Sequence, residues 1–127
     1  MIEIYDKKGF AKLLVLEAES LHGAALQGAC LASANLIEVD LAGADLSHAD
    51  LSDADLRLAK LRGANLAGAN LNGADLTGAD LSEANLTGAT LLGARLARAK
   101  LRGTNVKHTA LMTADVTGVD LSEAAIN

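Results

Sequence analysis

The chain has 127 residues, room for one domain, and half of them are apolar, yet it holds no Trp, one Tyr (Tyr5) and one Phe (Phe10), so its core must be aliphatic. A formal net charge of −5 denies it the basic surface that non-specific nucleic-acid binding needs. The lone Cys30 excludes an internal disulfide and cannot hold a metal by itself. No apolar run approaches the roughly 18 residues of a membrane helix. The run Leu13–Leu16, bounded by Lys12 and Glu17, is also too short for the apolar region of a signal peptide. The expectation is a cytoplasmic protein with neither a nucleic-acid nor a membrane partner.

Residues 1–20, MIEIYDKKGFAKLLVLEAES, hold both aromatics and read as an N-terminal cap. Ile2 and Ile4 alternate with Glu3, as in a half-buried strand. Asp6 is placed to N-cap a short helix with Phe10, Leu13 and Leu14 on one face, although Gly9 weakens that helix. The cap is needed because a stacked array exposes the apolar cross-section of its first unit.

From Leu21 to Ile126 every fifth residue is aliphatic, Leu throughout except Val106, Val116 and Ile126. Two residues before it, from Ala24 to Ala124, stands Ala, except at Val39, Thr104, Thr109 and Val119. This periodicity rejects a helix, where residues five apart are rotated by about 140° and the leucines would wrap every face. It also rejects a straight strand, whose period of two would throw successive leucines to opposite sides. One geometry fits: a short extended piece with Ala and Leu both inward, then a bend of about 90°. Four bends close a square, one coil takes about 20 residues, and roughly five coils stack at strand spacing. The solenoid would span residues 21–127. Gly at the second position after Leu, as in Gly63, Gly68, Gly73 and Gly78, suits a type II turn. Where Glu38, Leu58, Glu83, Arg98 or Glu123 replaces it, a different turn type is expected.

The phrases ANLAG, ANLNG, ADLTG and ADLSE resemble the A-(D/N)-L-x-x signature of the pentapeptide repeat family, over 106 of the 127 residues. The resemblance implies an all-β fold, a right-handed quadrilateral β-helix, and so supplies the hand. It also implies a family common in cyanobacteria whose members mostly lack an assigned activity.

A 20-residue coil makes n and n+20 neighbours. The column Asp40, Lys60, Asp80, Lys100, Asp120 then reads as a ladder of alternating charge, and Asn65, Asn85, Asn105 as an amide ladder. Family members that confer quinolone resistance resemble duplex DNA and bind gyrase through a strongly acidic face. Here the four faces carry net charges of −1, 0, −2 and −1, with Lys60, Arg62, Lys100 and Arg102 offsetting the acids of the first and Arg57, Arg95 and Arg98 those of the fourth. None mimics a row of phosphates.

Catalytic chemistry is not legible. His48 and His108 share a face but stand three coils apart, too far to share a metal, and Cys30 has no His placed to activate it. No catalytic, cofactor-binding or metal-binding residue is assigned. Two features could serve a partner: apolar residues at outward positions, Leu92 with Met112 and Ile37 with Leu58, and the last coil, where Leu121, Ala124 and Ile126 would offer an end for homodimerisation. The preferred reading is a non-enzymatic structural or protein–protein interaction module whose partner is unknown. The alternative is a DNA-mimicking regulator of a type II topoisomerase such as gyrase.

Overall fold

The computed structural model describes residues 1–120, 122 and 124, and is all-β among them. Two strands, β1 (Ile2–Tyr5) and β2 (Lys12–Leu16), form an antiparallel hairpin. A continuous coil follows, in which isolated parallel bridges join every fifth residue to the one 20 positions later, from Ala25 with Asp45 to Arg95 with Asp115.

One repeat shows how the backbone is satisfied. Leu61 N–H donates to the Asp80 carbonyl at 2.8 Å and Gly63 N–H to that of Ser82 at 2.9 Å, both one coil ahead. Asn65 N–H donates back to the Ala44 carbonyl at 2.9 Å, and Ala64 N–H closes the corner onto the Leu61 carbonyl at 3.0 Å. Four such corners fall in each 20-residue register step, so the sharp bends that a period of five demands are hydrogen-bonded turns.

Leucine and alanine point inward as their spacing requires. Every fifth residue from Leu31 to Leu96 is at most 1 % exposed, and so is every fifth from Ala44 to Ala94. Each buried Leu contributes roughly 1.5–3 kcal/mol. The four larger residues at alanine positions lie only near the two ends of the coil. Val39 packs partly buried near the hairpin, Val119 is partly buried in the last described coil, and Thr104 and Thr109 donate their hydroxyls to the Leu81 and Leu86 carbonyls at 2.6 and 2.7 Å.

Two expectations are corrected. The cap holds no helix, since Leu13 and Leu14 lie in β2 and Asp6 organises a hairpin loop. Its Oδ1 accepts from the N–H groups of Phe10 at 2.8 Å and Ala11 at 3.2 Å, while Gly9 takes a left-handed φ of 77°. Phe10 is consequently 87 % exposed at the loop, not packed on a helical face. The inward side carries Ile2 and Ile4, with Leu14 and Leu16 opposite them. The hairpin docks on the first coil through Lys7 N–H to the Ser33 carbonyl and Asn35 N–H to the Tyr5 carbonyl, both 2.8 Å.

The corners are also uniform where a change of turn was expected. Glu38, Leu58, Glu83 and Arg98 all have φ between 58° and 61° and keep the same closing hydrogen bond as the glycine corners. Bonds to both neighbouring coils fix the backbone, and the left-handed residue bears the steric cost, of order 1–2 kcal/mol. Glu123, named with them, lies outside the described residues.

Candidate functional site

The coil leaves one N–H per repeat without a backbone partner, that of the residue after Leu, and where the residue before Leu is Asp or Asn its side chain supplies an acceptor. Asp45 Oδ1 accepts from Ser47 N–H at 3.1 Å and from the Ser47 hydroxyl at 2.7 Å. Asp50 does the same with Ser52, Asp75 with Thr77, and Asn85 with Thr87. These are local Asx turns, which short acceptor side chains make with the backbone two residues on. The hydroxyl and N–H of Ser52 hold the Asp50 carboxyl below the usual carboxylate range, and Ser47 acts likewise on Asp45.

This alters the reading of both ladders. Backbone bridges do stack Asp40, Lys60, Asp80 and Lys100, but no ion pair within 4.0 Å joins this column among the described residues. Asp40 and Asp80 instead accept from Ala42 and Ser82 N–H at 3.0 Å. Asn65, Asn85 and Asn105 likewise stack, and each side-chain oxygen serves its own corner through Ala67, Thr87 and Lys107. A bond two residues away costs less ordering than one between coils, so the corner wins.

The ion pairs that form do not run along those columns. Arg57 contacts Asp55 at 2.7 Å and reaches Asp75 at 4.0 Å, Arg62 meets Glu83 at 3.4 Å, and His22 Nδ1 lies 3.2 Å from Asp40. Among the described residues no cluster of His, Cys, Asp and Glu could hold a metal. Surface crevices of about 380 and 270 Å³ are lined by neither His nor Cys. The first has Arg98, Lys100, Arg102 and Asp120 on its walls, and the second lies between the hairpin and the first coil, against Ile4, Leu21 and Val39.

The apolar candidates are displayed on the surface. Leu92 and Met112 occupy equivalent corners of successive coils, where Gly93 N–H points to the Met112 carbonyl, and are 41 % and 74 % exposed. Ile37 and Leu58 are also exposed, one repeat position out of register with each other, and Leu58 leans over Gly78 of the next coil. Ala124 is half-buried, while Leu121 and Ile126 lie outside the described residues. Sequence reasoning missed the hairpin, whose Met1, Tyr5, Phe10 and Val15 make up half of the exposed large hydrophobics among the described residues. The signal was present in Lys-Lys-Gly between two short β-prone runs.

The sequence profile of pentapeptide repeats matches residues 20–57, 54–91 and 79–118, in 8 copies. The chain belongs to the pentapeptide repeat family. It is similar to a pentapeptide repeat protein of the Arabidopsis thaliana thylakoid lumen, at 32 % identity and a TM-score of 0.55, over 85 % of this chain and 68 % of that one. It is similar also to HetL of the cyanobacterium Nostoc sp. strain PCC 7120, a pentapeptide repeat protein involved in the regulation of heterocyst differentiation. That match has 31 % identity and a TM-score of 0.54, over 83 % of this chain but 60 % of HetL. No curated protein matches the chain.

Proposed function

We propose that this pentapeptide repeat protein is a non-enzymatic structural and protein–protein interaction module. Its residues 21–120 form a right-handed quadrilateral β-helix and its residues 1–20 a cap, while the expected extension of the coil to residue 127 reaches residues outside the described ones. The observation that carries the reading is the filled interior. Leu and Ala occupy the inside of the coil to at most 1 % exposure from Ala44 to Leu96, so no internal cleft is left to bury a substrate. Most of the Asp and Asn side chains that precede Leu are spent on their own corners, which leaves the departures from the phrase to carry specificity. Of these, Leu92 with Met112 is the better placed, two apolar side chains at stacked corners, with Ile37 and Leu58 a second patch.

The gyrase alternative requires a face of unopposed carboxylates. Here Asp40 faces His22, and Asp55 and Asp75 face Arg57. The interaction reading is tested by capture from the native cell with wild type and with Leu92→Gln/Met112→Gln. A protein retained by the first and lost by the second, at equal melting temperature, supports it. Identical captured sets would overturn the assignment of this patch.

A further inference from the structure

We propose that the free edge of β2 pairs with β2 of a second copy of this chain, antiparallel, to make a four-stranded sheet across a two-fold axis. Only one edge of β2 is paired, with β1, and no other described segment bonds to it. The end of β1 is tied to the first coil, where Asn35 N–H donates to the Tyr5 carbonyl and Asp6 bridges Ala34. The open strand, KLLVL, has no Pro or Gly and carries one charge. Such an edge presents unpaired N–H and C=O groups to any incoming strand.

The distribution of charge selects a second copy, and selects its direction. The loop that leads into β2 and the start of the strand carry Lys7, Lys8 and Lys12, whereas the segment that leaves it carries Glu17 and Glu19. Antiparallel pairing lays the basic entry of each copy beside the acidic exit of the other, twice per dimer, whichever residue sits on the axis. Parallel pairing would set like against like. Glu17 and Glu19 are exposed and join no ion pair among the described residues, while Lys12 already has Glu3 at 3.5 Å within its own hairpin. Pairing would shelter the edge and the partly buried Leu13, Leu14 and Leu16 beside it, and it lays the exposed Phe10 alongside the partner's exit. An isologous contact of this kind closes on itself, so the assembly stops at two.

The test is sedimentation equilibrium at low salt, read with the melting temperature of each variant. Wild type is expected to dimerise in the micromolar range, more weakly as salt is raised. Glu17→Lys/Glu19→Lys and Lys8→Glu/Lys12→Glu should each weaken self-association 10-fold or more, and mixing the two should restore a 1:1 heterodimer. The amides within Leu13–Leu16 that face away from β1 should become protected from hydrogen exchange as concentration rises. A wild-type monomer at several hundred micromolar would overturn the proposal. So would a dimer that both charge reversals leave intact, which would place the contact elsewhere on the coil.

Discussion

The Ser52 hydroxyl donates to Asp50 Oδ1 at 2.6 Å, and the backbone N–H of the same serine donates to the same oxygen at 3.0 Å. The carboxylate is thereby a part of the corner. Asp45, Asp115 and Asp120 are held the same way by Ser47, Thr117 and Ser122, and each is pushed below the ordinary carboxylate range. A group whose pKa is depressed on folding contributes stability that is present above its unfolded value and is lost as pH falls through the folded one. The melting temperature should therefore be flat from pH 5 to 8 and fall below about pH 4, near the ordinary Asp value. Asn85 makes the same pair of bonds with Thr87 without the charge, so Asp45→Asn/Asp50→Asn should melt below wild type at pH 7, approach it in acid and lose stability less steeply as pH falls. Thermal scans across that range check both.

Ala69 is 1 % exposed in the middle of the coil, between Leu66 and Leu71, which are fully buried. Ala69→Leu should cost about 1–3 kcal/mol or more through overpacking. Arg62→Ala removes only an exposed pair with Glu83 and should stay within about 1 kcal/mol of wild type. Equal melting temperatures for the two would contradict the inward assignment of alanine.

Gly63 has φ of 68° and nothing within 4 Å of where a Cβ would stand, so it isolates the backbone cost of a corner. Gly63→Ala should destabilise by about 1 kcal/mol. Leu58 already bears that cost at φ 59° while exposing an apolar side chain. Asn tolerates this conformation better, so Leu58→Asn should be neutral to stabilising in denaturant titration.

Thr104 is fully buried, and its hydroxyl donates to the Leu81 carbonyl at 2.6 Å. That carbonyl also accepts from Ala84 N–H at 3.0 Å, so removing the hydroxyl orphans nothing. Thr104→Val should cost only about 1 kcal/mol, the net worth of one neutral hydrogen bond.

The coil was legible because a period of five admits one placement of Leu and Ala, and the leucines from Leu31 to Leu96 and the alanines from Ala44 to Ala94 follow it without exception. The hairpin was less so. Phe10, Leu13 and Leu14 fit a helical face by spacing, and Asp6 caps backbone N–H groups in either structure. What decides between them is the pairing of Ile2 with Leu16 and Ile4 with Leu14, which the Lys-Lys-Gly turn permits and the helical spacing of Phe10, Leu13 and Leu14 masks. The corner at Leu58 misled for a related reason, since propensity argues against a left-handed Leu and the stacked backbone overrides it. The charge and amide columns were placed in the correct register, but their partners were misjudged: Asp80 and Asn85 serve Ser82 and Thr87, two residues on, before any neighbour 20 residues away. The surface patches at Leu92 and Met112 were legible as departures from the phrase, whereas Phe10 was hidden by the helix reading.

Residue-resolved hydrogen exchange tests the central claim, a hydrogen-bonded coil with a 20-residue register, most directly. Corners whose preceding residue is Lys or Arg lack the Asx acceptor, so the N–H groups of Arg62, Ala97 and Arg102 donate to nothing among the described residues. The coil predicts fast exchange at these three amides, with Leu61, Gly63, Ala64 and Asn65 around the first strongly protected. Protection that alternates with a period of two, or that is uniform through residues 61–65, would contradict it.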